Sequence, residues 1–472
     1  MKFIIMALVL SLSADAATPS FGKAKTPSKK KITKEQLKQK LEFQKAIKNA
    51  YLHKHLKSAP NWNDQVYMMM EGRPILRNIY HMHEKELQTG RVKGDPWSDS
   101  YWPIQRGILG NRYAVEDFNQ QENFDDCLNY IKSNPANEIY EGQDAKKIAK
   151  LAPAEKYDLL FGSNSDLNLT IKMWAEGKRY YDRYGKVESW MGICHGWAPA
   201  SFMVPRPKKS IEVTAFDGHT KVKFYPSDLK ALASLLWAKA SYNTLFVGGR
   251  CNDKHSDDHL AEDARLPDDC IDTNPATWHL TTVNKIGRYQ ESFIIDATYD
   301  YEVWNQPMIK YDYSYFNPKT GQNVRSLKEA IVSTEEFNND PYSKYRNPEA
   351  KKVVGIHMTI VYGAENIPQT VDDDDPTRDW TSRVSYQYDL ELNRKGEIIG
   401  GEWYQFEHPD FLWAPVRGSN PMSPGDHLVK NQIPWDGKDK LPPVWKKAAK
   451  QSNGLGLPLG TLVQQLIELS RQ

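Results

Sequence analysis

Between residues 210 and 296 the hydrophobic pattern changes period several times, and this is what most restricts the fold. Residues 210–225 alternate around Asp217-Gly218, which predicts a hairpin. Ser227 and Asp228 then open a helical repeat carried by Leu229, Leu232, Leu235, Leu236 and Trp237. Thr244-Leu245-Phe246-Val247-Gly248-Gly249 follows as a buried strand. Residues 278–283 and 292–296 predict two further strands, set side by side. Such a chain must lay helix over mostly antiparallel sheet, an α+β arrangement. Farther on, residues 352–415 are mostly of strand character. Asn393-Arg394-Lys395-Gly396 stands as a turn between Tyr388-Asp389-Leu390-Glu391-Leu392 and Glu397-Ile398-Ile399. A short apolar helix over residues 459–469 closes the chain.

The N-terminus has a different character. Lys2, an apolar run over residues 3–12 and Ala14-Asp15-Ala16 have the order of a secretory signal. The run is too short to span a bilayer, and no later stretch is long and apolar enough. The expected location is therefore secreted or periplasmic, with no integral membrane segment in the mature chain. Residues 23–32 are basic and contain Pro and Ser. Thr33 and Gln36 then resemble a capping box ahead of a lysine-rich helix. The formal net charge of +2 gives no reason to expect nucleic acid as a partner. The expected divisions are residues 1–16 as signal, 17–32 as basic linker, and 33–150 as a helical N-terminal region. That region would serve partly as a pro-segment over the active cleft. Residues 151–350 would form a catalytic core, and 351–472 a β-rich C-terminal region with a terminal helix.

The chain has four cysteines: Cys127, Cys194, Cys251 and Cys270. In an oxidising compartment cysteines pair unless chemistry needs a thiol. Cys251 and Cys270 bracket an Asp-rich loop and make a local disulfide the natural pairing, although four cysteines allow three full pairings. Cys194 sits in Gly192-Ile193-Cys194-His195-Gly196-Trp197-Ala198, where small residues permit close approach and Pro199 places a helix start near the cysteine. The amides of a helix N-terminus stabilise a thiolate. A thiol nucleophile needs a base, and the base an orienting group. His279, beside Trp278 at the head of an apolar run, and Asp296, at the end of Phe293-Ile294-Ile295, are the candidates. His195 is a structural neighbour, and Asp300 is the rival to Asp296.

These residues carry a resemblance. Cys, then His, then Asp a short strand-turn later is the order found in papain-like thiol enzymes and transglutaminases. The cysteine run, Asp296-Ala297-Thr298 and Tyr301-Glu302-Val303-Trp304-Asn305-Gln306-Pro307 resemble the transglutaminase elicitor family of oomycetes and bacteria. Residues 96–103, Gly400-Gly401-Glu402-Trp403 and His408-Pro409-Asp410-Phe411 add to the likeness, which extends over residues 95–415. The last four residues of the Tyr301 run match the start of the short peptide by which plants recognise that family.

The resemblance implies a papain-like core and a Cys194–His279–Asp296 triad. The implied reaction is calcium-dependent acyl transfer from glutamine carboxamides to lysine amines of protein substrates. Trp190, Trp197 and Trp278 would then line the substrate site, with Trp190 flanking the acyl group or helping to bind the oxyanion. Calcium would find hard oxygen ligands at Asp372, Asp373, Asp374 and Asp375, although the run lacks EF-hand spacing. One departure stands out. Papain-like proteases place a glutamine a few residues before the cysteine as an oxyanion donor. Here Glu188 holds that neighbourhood, and an ionised carboxylate cannot donate. The alternatives are a thiol peptidase or glutamine deamidase on the same fold, and a non-enzymatic secreted recognition protein.

Overall fold

The computed structural model describes residues 64–162, 168–249, 273–298, 302–405 and 408–472. The leader, the basic linker, the Cys251 and Cys270 pair, and Asp300 lie outside the described residues. Twelve strands are described: β1 (Thr89–Arg91), β2 (Ile211–Thr214), β3 (Lys221–Phe224), β4 (Thr244–Gly248), β5 (Ile294–Asp296) and β6 (Asn305–Phe316), followed by β7 (Asn323–Val324), β8 (Ile331–Ser333), β9 (Lys352–Gly363), β10 (Thr381–Leu392), β11 (Ile398–Gly400) and β12 (Phe411–Pro415). Strands β2 and β3 form the expected hairpin, its turn made by Gly218 at φ +87°. The other ten form one curled antiparallel sheet ordered β11-β10-β9-β6-β5-β12-β4, with β1 and β7 on β6 and β8 on β9.

Two large cores hold the protein together. One gathers the helices Leu169–Tyr184, Cys194–Met203, Pro226–Lys239, Pro443–Asn453 and Gly460–Arg471 around Trp102, Trp197 and Trp445. The other packs the helix Pro275–Thr282 against the sheet and includes Trp278, Tyr311, Ile356 and Tyr388. A small third cluster joins Ala198 to Ile294, Phe411 and Trp413, and fixes the Cys194 helix onto β5 and β12.

The structure corrects the reading of residues 278–283. They belong to a helix, Pro275–Thr282, which runs on as π-helical turns to Arg288. Asn274 caps it by accepting from Ala276 N, and Pro275 stands at the first helical position. These start signals outweigh the strand preference of Thr281, Thr282 and Val283. Three other local readings are met: the helix Pro226–Lys239, the strand at β4, and the β10–β11 hairpin, whose turn is made by Gly396 at φ +80°. Residues on both sides of position 350 share one sheet, since β5 pairs with β12 and β6 with β9. From Asp64 onward the N-terminal region is also built in. Met69, Met70, Ile79 and Met82 are buried in the sheet core, and Asp64 accepts from Asn274 N at the head of the His279 helix.

The helical core contains a fully buried ion pair. Lys156 Nζ donates to Asp228 Oδ2 at 2.6 Å, and Tyr113 Oη donates to Asp228 Oδ1 at 3.0 Å. Removing one partner of such a pair strands the other charge. Lys156→Met is expected to lower stability by about 3–5 kcal/mol in urea unfolding. Adding Asp228→Leu should recover part of that loss.

Candidate active site

The helix Cys194–Met203 begins where it does because Ile193 closes its first turn. The Ile193 carbonyl accepts from Gly196 N and Trp197 N, and Ile193 N donates to Tyr101 O at 2.7 Å. Cys194 is therefore the first residue of the helix, where its N–H lacks an intrahelical acceptor and the helix dipole favours negative charge. Pro199 lies inside the helix, beyond the first turn. The small residues around Cys194 serve packing. A Cβ at Gly196 would collide with the Ser234 carbonyl and Ala238, and one at Gly192 with the Tyr101 carbonyl.

Tyr101 comes from the stiff segment 96–103, which thus lies directly against the site. Its ring meets Trp304 edge-on at 5.2 Å, and its hydroxyl donates to Ser189 O at 2.7 Å. The neighbouring Trp102 has φ +47°, a sparsely populated region for a bulky side chain. It is held there by donating its N–H to Ser100 Oγ and its indole N–H to buried Asp99.

The Cys194 thiol is buried over the start of β6. Sγ donates to Val303 O at 3.7 Å and accepts from Asn305 Nδ2 at 3.4 Å. The Asn305 main-chain N–H also favours the thiolate form. Burial pushes the thiol up to about 11; the Asn305 donors oppose that rise, and the Glu365 and Asp296 carboxylates add to it. Asn305 Oδ1 in turn accepts from Trp413 Nε1 at 2.8 Å. Asp296, the cross-strand partner of Asn305, accepts from Trp304 N at 3.0 Å and so shapes the connection between β5 and β6. Glu365, half-buried just beyond β9, accepts from Gln306 Nε2 at 2.6 Å, and burial raises its carboxyl to about 7.

The expected triad is not hydrogen-bonded together. Asp296 lies within electrostatic reach of Cys194, but His279 belongs to the sheet core. Its Nδ1 bonds Tyr388 Oη at 2.8 Å, its ring packs against Tyr313 at 4.9 Å, and its Nε2 has no hydrogen-bond partner. His279 is thus bonded to neither Cys194 nor Asp296. His195 lies in the electrostatic field of Lys239 and Glu176.

The aromatic residues expected to line the substrate site are also placed differently. Trp197 and Trp278 are wholly buried, one in each core, and present no surface to a substrate. Trp190 is half-buried, and its indole N–H is taken by Glu188 at 2.6 Å. The four aspartates do not converge either. Asp372 pairs with Lys223, Asp373 with Arg378, and Asp374 with Arg206 and Lys230, while Asp375 caps the turn at Thr377. No cluster of three or more His, Cys, Asp or Glu fit for a metal occurs among the described residues. Cys127 is free and buried.

The site thus consists of a free thiol at a helix N-terminus, seated on an antiparallel sheet beside an amide and two carboxylates. The chain belongs to the transglutaminase elicitor family, whose model matches residues 75–423. Its fold is similar to that of the GP42 transglutaminase from Phytophthora sojae, with a TM-score of 0.52 and 22% identity. That similarity covers 77% of this chain and 94% of the other. No curated protein matches the chain.

Asn305 stood inside the motif Trp304-Asn305-Gln306-Pro307, yet nothing in sequence separated it from its neighbours. Trp413 and Glu365 carried no signal at all, because only the strand pairing brings them in.

The buried imidazole has a consequence for stability. Burial lowers the His279 pKa from 6.5 to about 3, so the folded protein keeps the ring neutral while the unfolded chain protonates it near 6.5. Stability from this group is complete above pH 6.5 and falls as pH drops toward 3, by up to about 1.4 kcal/mol per unit. Urea unfolding between pH 7 and 4 should show this slope, and His279→Gln should reduce it.

Proposed function

We propose that the protein is a secreted protein-glutamine γ-glutamyltransferase with Cys194 as its nucleophile. The observation that carries this reading is the placement of the Cys194 thiol at the first position of its helix, bonded by Asn305, in a chain of this family. In this reading Sγ attacks the carbonyl carbon of a glutamine carboxamide and ammonia leaves. The resulting thioester is then taken by a lysine amine of a second protein. The thiol proton must leave before or during attack. Glu365, with its carboxyl near neutrality and within electrostatic reach of Cys194, is suited to receive it. The part expected of His279 is not included, because its ring is bonded in the sheet core.

The papain-like description is supported by a nucleophilic cysteine at the head of a helix packed on an antiparallel sheet. Export is supported by the signal-like residues 2–16. No helix among the described residues is long and apolar enough to cross a membrane. The aspartates 372–375, each engaged as an ion-pair partner or turn cap, do not fit a calcium cage, and no step is assigned to that ion.

The test mixes purified protein with a glutamine-bearing donor protein and a labelled primary amine. Wild type should incorporate the amine, and Cys194→Ala should lower incorporation by at least about 10³-fold. Ammonia release without incorporation would make water the acceptor and the enzyme a deamidase. No reaction of either kind, with or without added calcium, would remove the acyl-transfer reading.

A further inference from the structure

No glutamine stands a few residues before Cys194, where papain-like proteases place their oxyanion donor. Glu188, near the place of the usual glutamine, is an acceptor and holds the Trp190 indole N–H. One side-chain donor does face the sulfur, namely Asn305 Nδ2 at 3.4 Å from Cys194 Sγ.

The orientation of that amide is fixed by its other end. Trp413 Nε1 donates to Asn305 Oδ1 at 2.8 Å, and an indole nitrogen can only donate. The oxygen must therefore face Trp413, and the NH2 group must face the sulfur. Both side chains are buried, and Trp413 is itself fixed on β12 opposite Ile294. The neutral thiol already has an acceptor in Val303 O, so the resting site does not require an amide donor at the sulfur. A thiolate does require one. So does the oxygen that becomes negative when sulfur adds to a carbonyl, and that oxygen is only two bonds from Sγ. A donor 3.4 Å from the sulfur stands within hydrogen-bond reach of it.

We propose that Asn305 is a catalytic residue that donates its side-chain N–H first to the Cys194 thiolate and then to the oxyanion, with Trp413 as its positioning residue. The oxyanion half rests on the glutamine reading above; the thiolate half does not. In the step, Sγ forms a bond to the carboxamide carbon and the C=O π pair moves onto oxygen. Asn305 Nδ2 and the Cys194 main-chain N–H bind that oxygen. The pair then returns, the C–N bond breaks, and the amide nitrogen leaves as ammonia with the proton that the thiol gave up.

The test uses the full chain with Asn305→Ala and Trp413→Phe, read in two ways. Ammonia release from a glutamine peptide gives kcat and KM. The rate of alkylation by iodoacetamide against pH reads the thiolate without any substrate. Asn305→Ala should lower kcat by about 10²–10³-fold with KM nearly unchanged. It should also move the alkylation profile to higher pH, with Tm kept within about 3 °C. Trp413→Phe keeps the buried ring but frees the amide to turn, and should show both effects in smaller measure. A wild-type kcat together with a wild-type alkylation profile in Asn305→Ala would overturn the proposal. So would a loss matched by an equal rise in KM or explained by a lower Tm. If Asn305→Ala does not fold, Trp413→Phe decides: unchanged kcat and profile overturn the proposal. If wild type releases no ammonia from any glutamine peptide, the glutamine reading fails and the oxyanion role with it. The alkylation arm then decides the thiolate role, which an unshifted profile overturns.

Discussion

The antiparallel register that sets Asp296 opposite Asn305 governs the whole site. It brings the first residue of β6 beneath the first residue of the Cys194 helix, and it places the Asp296 carboxylate where it can hold the Trp304 N–H. Because side chains alternate along a strand, a slip of one residue would turn Asn305 to the other face and present Gln306 or Trp304 instead. The register is guarded from both sides. Strand β12 pairs with β5, and its Trp413 reaches across to Asn305. The long β6–β9 ladder extends the pairing into the sheet core. The sulfur, the amide and the indole therefore form a line that crosses from the helical layer into the sheet.

Much of the scaffold could be read from local pattern. The helix Pro226–Lys239, the hairpin β2–β3, the strand β4 and the β10–β11 turn each carry their own signals within a few residues, and each lies where those signals put it. Residues 278–283 show how such reading fails. Their β-branched residues suggested a strand, but Asn274 and Pro275 start a helix, and helix burial in the curled sheet decides the outcome. The placement of the His279 side chain changes with it. A strand would have put its side chain at the sheet end beside Asp296, whereas the helix turns it inward onto Tyr388 and Tyr313.

The site residues divide along the same line. Cys194 was visible because its chemistry and its neighbours are local. Asn305, Trp413 and Glu365 reach it from three separate strands or their ends, and no spacing in the chain encodes that convergence. The glycines beside the cysteine illustrate a subtler limit. They are required, but by the Ser234 carbonyl and the Tyr101 backbone rather than by an incoming substrate. A small residue in sequence reports close approach without saying what approaches.

The burial that raises the Cys194 thiol to about 11 also has a protective side. Thiolates, not thiols, enter disulfide exchange and the first steps of oxidation. A sulfur kept neutral and out of water is thus a poor partner for oxidants and for mixed-disulfide formation. Cys194 can stay reduced without a disulfide partner, and any reaction at its sulfur must first remove the thiol proton.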